Sequence, residues 1–571
     1  MEKGSLPIPI AVTGHRDLRP EDIPLLENRL REIFADLEQR YPASPLVLLS
    51  SLAEGADRLS ARVALECGIS LICPLPMSRA LYEEDFLTPE SKKEFADLLD
   101  RSDDWFELPL LSTATIEEVK NPGEKRNHQY AYVGAYLCRH SQIIIALWDG
   151  SPIELVGGTT YIVGFKLRGI PPPYIIQQGR FEPEEIGPVY HVLSPRMSHD
   201  LPSGEPGSLK IIYPKQYKNE DAAKRTYDRI LENTNRFNKD EIDLREELSL
   251  ARDRSEEYLF ADAKKYNNEY AQLLVSRFAI SDSLAVYFQK HTLRLLTILF
   301  SFALLATIVF ELYAYLMMDS PSLLLLFFGT LAGAYGIYSY SAKKGYQDKF
   351  QDYRTLAEGL RVQFYWQFVD LKYSAANYYL GDQHGELDWI RHALRMWALP
   401  FSEESKSKAM FDTASETERW KALLNDWVVS QNNYFTRSSV RENLKVQKAN
   451  MWARVCLMFG FSLIAFNLIY QYFIGHTALP VFLYISSVTP IAAGLLYGYT
   501  EKRALADHVK QYERMANLFS RAQVHLEQLI SDEQYDEARK LIFDLGKEAL
   551  KENGRWVITH RERPIEFPIT Q

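Results

Sequence analysis

Three short loops hold the residues best suited to chemistry. Thr13-Gly14-His15-Arg16 follows the apolar run Ile8-Pro9-Ile10-Ala11-Val12. Ser50-Ser51-Leu52-Ala53-Glu54-Gly55-Ala56-Asp57 follows Leu46-Val47-Leu48-Leu49, and Asp149-Gly150 with Gly157-Gly158-Thr159-Thr160 follows the run from Gln142 to Trp148. Glycine and hydroxyl residues between a strand and a helix open backbone N–H groups and a positive helix end to an anion. Arg16 adds a guanidinium suited to bidentate phosphate contact. The expected ligand site is therefore Thr13, Gly14, His15, Arg16, Ser51, Ala53, Glu54, Gly55, Ala56, Asp57, Asp149, Gly150, Gly157, Gly158, Thr159 and Thr160, with no catalytic residue and no metal ligand among them. A glycine turn after a strand is usually only a turn; three on one sheet edge carry the argument. Competing roles are a ribose hydrogen bond for Glu54, helix capping for Asp57, ribose binding or turn closure for Asp149, and structural hydrogen bonding for His15.

The elements that must position these loops read as an α/β, Rossmann-like parallel sheet. Buried strands are predicted at Ile8–Val12, Leu46–Leu49, Ser70–Pro74 and Gln142–Trp148, with helices over Glu21–Arg40 and Asp57–Cys67 and a long helical region before Gln142. Apolar strands alternating with helices indicate a sheet covered on both faces, whose ligands bind at the carboxyl ends of the strands.

The C-terminal half reads as all-helical and membrane-spanning. A bilayer core needs roughly 20 apolar residues in a helix, and Leu295–Met318, Leu323–Tyr340, Val455–Ile474 and Leu479–Tyr499 meet that length. Short joints pair them into two hairpins. Lys290, Arg294, Lys343, Lys344, Lys448, Arg454, Lys502 and Arg503 flank the spans, whereas the turns Met318–Ser322 and Gly475–Ala478 hold no Lys or Arg. The positive-inside bias predicts a multi-pass protein of the plasma (inner) membrane with both termini and the bulk of the chain cytoplasmic. The expected domains are an α/β ligand-binding domain at 1–215, a first helix-hairpin-helix unit at 216–372, a cytoplasmic helical lobe and lead-in helix at 373–450 carrying Trp389, Trp397, Trp420 and Trp427, and a second membrane unit at 451–571.

An internal duplication links the hairpins. Gln289-Lys290 recurs as Gln447-Lys448, and Tyr353-Arg354-Thr355-Leu356-Ala357 is echoed by Tyr512-Glu513-Arg514-Met515-Ala516 at nearly the same offset. Each unit sends out a cytoplasmic helix. The stripe Phe350, Tyr353, Leu356, Leu360 and Phe364 on Tyr346–Leu371 is expected to pack on its repeat, Val509–Leu529. Gly329 and Gly333, and Gly494 and Gly498, have the spacing for close helix approach within a hairpin or between subunits. Glu311, an acidic residue inside a span, is expected at a pore, at a helix interface or at the outer headgroups.

Composition narrows the partners. The 571 residues exceed one core. A formal net charge of -10 argues against a general affinity for nucleic acid. Cys67, Cys73, Cys138 and Cys456 lack the spacings of a zinc site or a disulfide framework, and the N-terminal segment shows no export signal.

The ordered motifs TGHR at 13–16, SSLAEGADR at 50–58, ALWDG at 146–150 and GGTT at 157–160 resemble the SLOG superfamily of Rossmann-like nucleotide-binding domains over roughly residues 8–200. The tandem hairpins are similar in topology to the SLATT family of two-span effectors. That resemblance implies a membrane effector gated by a nucleotide-derived second messenger of nucleotide or ADP-ribose type. It further implies a homo-oligomer that permeabilises or depolarises the lipid bilayer in prokaryotic antiviral defence, answering a signal-producing enzyme through the diffusible ligand. The hydrolase branch of the superfamily carries a glutamate in a PGGxGTxxE loop. Here Tyr161-Ile162-Val163 follows the threonines without a carboxylate, which places the alternative, a membrane-tethered phosphoribohydrolase or NAD-glycohydrolase, second. No cofactor is expected beyond the ligand.

Overall fold

The computed structural model describes residues 5–152, 155–175, 186–198, 204–217, 219–260, 269–379, 387–398, 416–474, 477 and 479–565. Its internal contacts separate two compact units. The first comprises residues 1–250, 263–277 and 372–413, and the second residues 251–262, 278–371 and 414–571.

In the first unit, β1 (Ile8–Gly14), β2 (Leu46–Leu49), β3 (Ser70–Leu75), β4 (Asp104–Glu107), β5 (Ile143–Trp148), β6 (Val189–Leu193) and β7 (Leu209–Ile212) form one sheet in the order β4-β3-β2-β1-β5-β6-β7. All neighbours are parallel except β6 and β7. The strands at its centre are apolar along their whole length because both faces are covered: Ile8, Ile10, Val47, Leu48, Ile144 and Ile145 are fully buried. The covering helices are α1 (Ile23–Arg40), α2 (Ala56–Glu66), α3 (Arg79–Tyr82), α4 (Pro89–Asp100), α5 (Ile116–Lys120), α6 (Glu124–His140) and α7 (Thr159–Arg168). The stretch before β5 is not helical throughout, since β4 sits within it. β1 pairs with β2 on one side and β5 on the other, so the chain reverses its direction of winding there and opens a crevice at their carboxyl ends. Helix α8 (Glu220–Leu244) closes the opposite edge. Asn238 accepts from the Leu6 N–H at 2.8 Å and donates to the Leu6 carbonyl at 2.7 Å, acting as a peptide group. Phe237 of α8 packs on Trp389 and Trp397 of α13 (Asp388–Ala398).

The second unit is helical. It contains α9 (Ser249–Leu259) from Ala251 onward, α10 (Glu269–Tyr315) from Phe278 onward, α11 (Pro321–Lys344), α12 (Tyr346–Phe368), α14 (Glu416–Leu423), α15 (Ser430–Ile474), α16 (Pro480–Lys502), α17 (Leu505–Ser531) and α18 (Tyr535–Arg561), with a π-helical turn at Leu424–Val429 before α15. Four of these elements are long and apolar enough to span a bilayer, and at most 22% of the residues in any of their most apolar windows are buried. Leu325, Met458, Phe461 and Tyr472 stand exposed. Apolar surface on that scale is unlike that of buried core helices and is compatible with a multi-pass membrane protein. Of the second turn, 475–478, only residue 477 lies within the described residues.

The repeat is visible in the backbone. Helices α10, α11 and α12 recur as α15, α16 and α17. In each, a left-handed residue separates the second span from the helix that follows: Gly345 at φ 62° and Ala504 at φ 51°. These two breaks occupy equivalent places in the repeat. The stripe on α12 does not make its main contact with α17. Within the stripe, Tyr353 meets Phe288 of α10, Phe364 meets Phe260, and Phe350 meets Trp556 of α18 edge-on. Beside the stripe, α12 packs on α18 as Trp366 Nε1 donates to the Ile542 carbonyl at 3.2 Å and Arg561 pairs with Asp352 at 2.6 Å. Gly546 makes this possible, as a Cβ there would stand 2.2 Å from the Trp366 indole. The expectation failed because both faces of α12 are buried, so its apolar stripe did not single out one partner.

Candidate functional site

The carboxyl edge of β1, β2 and β5 brings the three predicted loops together. The β1 loop and the start of α2 are fused by backbone contact. The Ala56 N–H donates to the His15 carbonyl at 3.0 Å, a Cβ on Gly14 would stand 2.3 Å from that of Ala56, and one on Gly55 would stand 2.4 Å from the carbonyl oxygens of His15 and Arg16. Gly55 is also left-handed, at φ 78°. Only glycine fits either position.

That fusion uses part of the helix terminus. The Arg58 N–H donates to the Ala53 carbonyl at 3.3 Å, and the first intrahelical bond runs from the Leu59 N–H to Gly55 at 2.9 Å, so among the described residues the Asp57 N–H is the one without a partner in this first turn. Asp57 occupies the first turn of α2 and takes the Ala53 N–H on its carboxylate. It is 7% exposed, and burial pushes its carboxyl up to about 7 against the opposing pull of that hydrogen bond and of Arg16 and Arg58. Glu54 is held by the Ser91 hydroxyl of α4, which donates to it. Ser51 and Ala53 lie in the same loop, and the Ser51 hydroxyl is buried without a hydrogen-bond partner among the described residues.

His15 and Asp149 bridge β1 and β5. The Asp149 amide donates to His15 Nε2 at 3.0 Å, which makes Nε2 an acceptor and assigns the ring proton to Nδ1. Asp149 Oδ1 lies 3.1 Å from the same nitrogen and also accepts the Ser151 N–H at 2.9 Å. Burial lowers the His15 pKa more than Asp149 restores it, so the ring is neutral. Gly150 follows in the left-handed region at φ 80° and completes the turn.

The fourth segment behaves differently. Gly157, at φ 78°, packs beneath α6, where a Cβ would stand 2.6 Å from the Asn127 carbonyl and 2.9 Å from the Tyr130 Cβ. Gly158 caps α7, and Thr160 Oγ1 donates to the Ser151 carbonyl at 2.9 Å. The first intrahelical bond runs from the Ile162 N–H to Gly158. Among the described residues, no partner takes the N–H groups of Thr159, Thr160 and Tyr161. A helix terminus with unpartnered N–H groups has the donors that an anion would need.

A cluster that the sequence did not signal stands beside it. Arg126 of α6 is 3% exposed and donates to Asp85 at 2.8 Å, to Tyr130 at 2.9 Å and to the carbonyls of Leu81 and Val119. The Tyr130 hydroxyl donates to Asp85. Arg16 crosses the face of Tyr130, 5.5 Å from its centroid, and comes within 3.9 Å of Asp85 while remaining 46% exposed on its side chain. The i, i+4 pair Arg126 and Tyr130 was legible only as ordinary helix spacing. Its meaning comes from Asp85, 41 residues away. The cluster holds Tyr130 as a platform and leaves Arg16 able to reach an anion.

Among the residues singled out in the spans, Glu311 lies at a helix interface, accepting the Ser487 hydroxyl at 2.7 Å between the first and second hairpins. A Cβ on Gly333 would meet Phe302 at 3.0 Å, within the first hairpin. One on Gly498 would meet Phe300 at 3.4 Å, joining the fourth span to the first. Gly329 and Gly494 face open space. The close approach of the second hairpin falls instead at Gly460, where a Cβ would stand 2.5 Å from Thr489 Oγ1 and 3.3 Å from Pro490.

No protein-family model matches this chain, and no curated protein matches its sequence.

Proposed function

We propose that the chain is a ligand-gated membrane effector. A phosphate-bearing, nucleotide-derived signal binds at the carboxyl edge of the sheet, and the four spans respond by permeabilising or depolarising the inner membrane. The observation that carries this reading is the α7 terminus. Three backbone N–H groups without a partner among the described residues stand beyond Gly157-Gly158 on the same edge as a half-exposed Arg16, in a chain that also exposes four apolar spans. The chain passes from the first unit to the second inside one helix, at Arg277 and Phe278 of α10, which supplies a continuous element for a rearrangement to follow. For gating, the ligand must bind the active arrangement more tightly than the resting one. A cytoplasmic sheet unit, homo-oligomeric assembly and a role in antiviral defence belong to this proposal.

The carboxylates near the loops support recognition over turnover. Glu54 is engaged by Ser91, Asp149 by the Ser151 N–H, and Asp85 by Arg126 and Tyr130. Asp57 favours the second reading, a membrane-tethered nucleotide-processing enzyme, because a carboxyl titrating at about 7 is suited to acid–base work.

Full-length protein in dye-loaded liposomes, given nucleoside monophosphates, NAD or ADP-ribose, tests both. Dye release without turnover supports the effector. Ligand binding with neither release nor a change in conductance overturns it, and chromatographic turnover lost in Asp57→Asn establishes the enzyme.

A further inference from the structure

The second unit encloses a cavity of about 510 Å³ among α9, α10, α12, α15, α17, α18 and the end of α16. One end reaches Leu293 and Leu296, at the entry of the first span, and Lys502 and Arg503, at the exit of the fourth. The other end is deep among the helices. There Arg354 pairs with Asp282 and Glu358, each at 2.8 Å, and Arg361 donates to Glu358 at 2.7 Å. This quartet is balanced in charge. Arg354 and Glu358 nonetheless keep 24% and 19% of their side-chain surface accessible, and that surface opens on the cavity rather than on packed neighbours.

The end nearer the spans is not balanced. Lys502 donates to the Pro564 carbonyl at 2.7 Å, and Arg503 donates to Tyr499 Oη at 3.2 Å. Neither cation has a carboxylate partner among the described residues. Arg441 and Lys445 share the single carboxylate of Glu442, at 3.2 and 2.8 Å. The His508 and His560 rings, with Nε2 atoms 3.0 Å apart, are kept neutral by burial and, for His508, by its partner imidazole. Glu552, whose charged neighbours are Glu358 and Arg354 of the other end, is pushed up to about 7 by burial and so carries less than a full negative charge. Positive charge gathered in a partly enclosed space attracts an anion more strongly than the same charge spread over an open surface.

We propose that this cavity is a second ligand site, taking the phosphate group of an anionic molecule against Lys502 and Arg503, with Arg441 and Lys445 completing its charge balance. Two sources offer that chemistry at this level of the molecule: a phospholipid headgroup from the adjoining leaflet, or a free phosphate from solution. The site is independent of the sheet edge, and either proposal can fail without the other.

The test uses the full-length protein in nanodiscs. Thermal unfolding is followed in phosphatidylcholine alone, in phosphatidylcholine with added inorganic phosphate, and in phosphatidylcholine mixed with phosphatidic acid. Stabilisation by phosphatidic acid assigns the lipid source, and stabilisation by inorganic phosphate assigns the soluble one. In either case Lys502→Gln with Arg503→Gln is expected to weaken the effect about tenfold or more, because each removes a charge-assisted contact. Lys547→Gln, an exposed cation outside the cavity, leaves the effect intact and controls for net charge. Should the double variant fail to fold, Lys445→Gln is read in its place, since its side chain lies half-exposed and Arg441 remains beside Glu442. No stabilisation by either phosphate source, or stabilisation that survives the loss of these cations, overturns the proposal.

Discussion

Helices α2 and α7 begin in the same way: a parallel strand of one sheet, a glycine, and hydroxyl or acidic residues in the first turn. Their termini nevertheless serve different ends. At α2 the glycines allow backbone to pack on backbone, and two of the first three N–H groups, those of Ala56 and Arg58, are spent on carbonyls of the β1 loop and of residue 53. At α7 the glycine packing lies one residue earlier, beneath α6, and the N–H groups of Thr159, Thr160 and Tyr161 remain open among the described residues. A glycine-rich turn is therefore a packing device or a ligand cradle according to whether a neighbouring loop supplies acceptors.

The sharpest way to break this contrast is Gly55→Ala. Gly55 sits at φ 78°, and a methyl group there would stand 2.4 Å from two carbonyl oxygens. The substitution should cost about 3 kcal/mol or more, and thermal denaturation of the full-length chain should show early loss of the sheet unit. A tolerated alanine would remove the packing role assigned to α2.

Asp57→Asn probes the same junction through pH. The folded carboxyl titrates at about 7 against an ordinary value of 3.8, so the folded state holds a proton that the unfolded state releases, and stability falls as pH rises between those values. Asparagine should abolish that slope and leave the variant more stable at pH 8 by on the order of 3 kcal/mol. Parallel pH–stability curves for the two proteins would contradict the assignment.

Thr159→Pro tests α7. Gly158, at φ -83° and ψ 166°, already has the extended backbone a following proline requires, and the first helical position tolerates proline. The substitution deletes one open N–H without straining the fold. Ligand affinity, read by calorimetry with ADP-ribose or a nucleoside monophosphate, should fall by about 1–3 kcal/mol with the unfolding temperature unchanged. Thr160→Val should have the smallest effect. Losing the bond to the Ser151 carbonyl should lower stability by about 1 kcal/mol, measured by urea unfolding.

Much of the architecture was legible because it rests on patterns local in sequence. The four spans were visible as uninterrupted apolar length, and β1, β2, β3 and β5 as short apolar runs followed by glycine or polar turns. β4 was not legible: Asp-Trp-Phe-Glu buries only Phe106 and pairs with β3 at the sheet edge, so its run is too short and too polar to mark a strand. At the site, the three loops were readable, but the difference between α2 and α7 was not. Whether an N–H is spent depends on carbonyls far off in the chain, as with Ala56 and His15. The Arg126 platform was hidden for the same reason. In the spans, i, i+4 glycines marked Gly333 and Gly498 but missed Gly460, whose close approach involves one glycine opposite Thr489 and Pro490.

The paired breaks at Gly345 and Ala504 make the two hairpins mechanically unequal. Glycine visits both halves of the backbone map at similar cost, so the first hairpin leaves the bilayer through a joint with several low-energy settings. Alanine held at φ 51° and almost wholly buried has one setting, imposed by the packing around it at a cost of about 1 kcal/mol. A duplicated joint is thus filled in one copy by a residue at ease in the left-handed region and in the other by one that its surroundings must hold there.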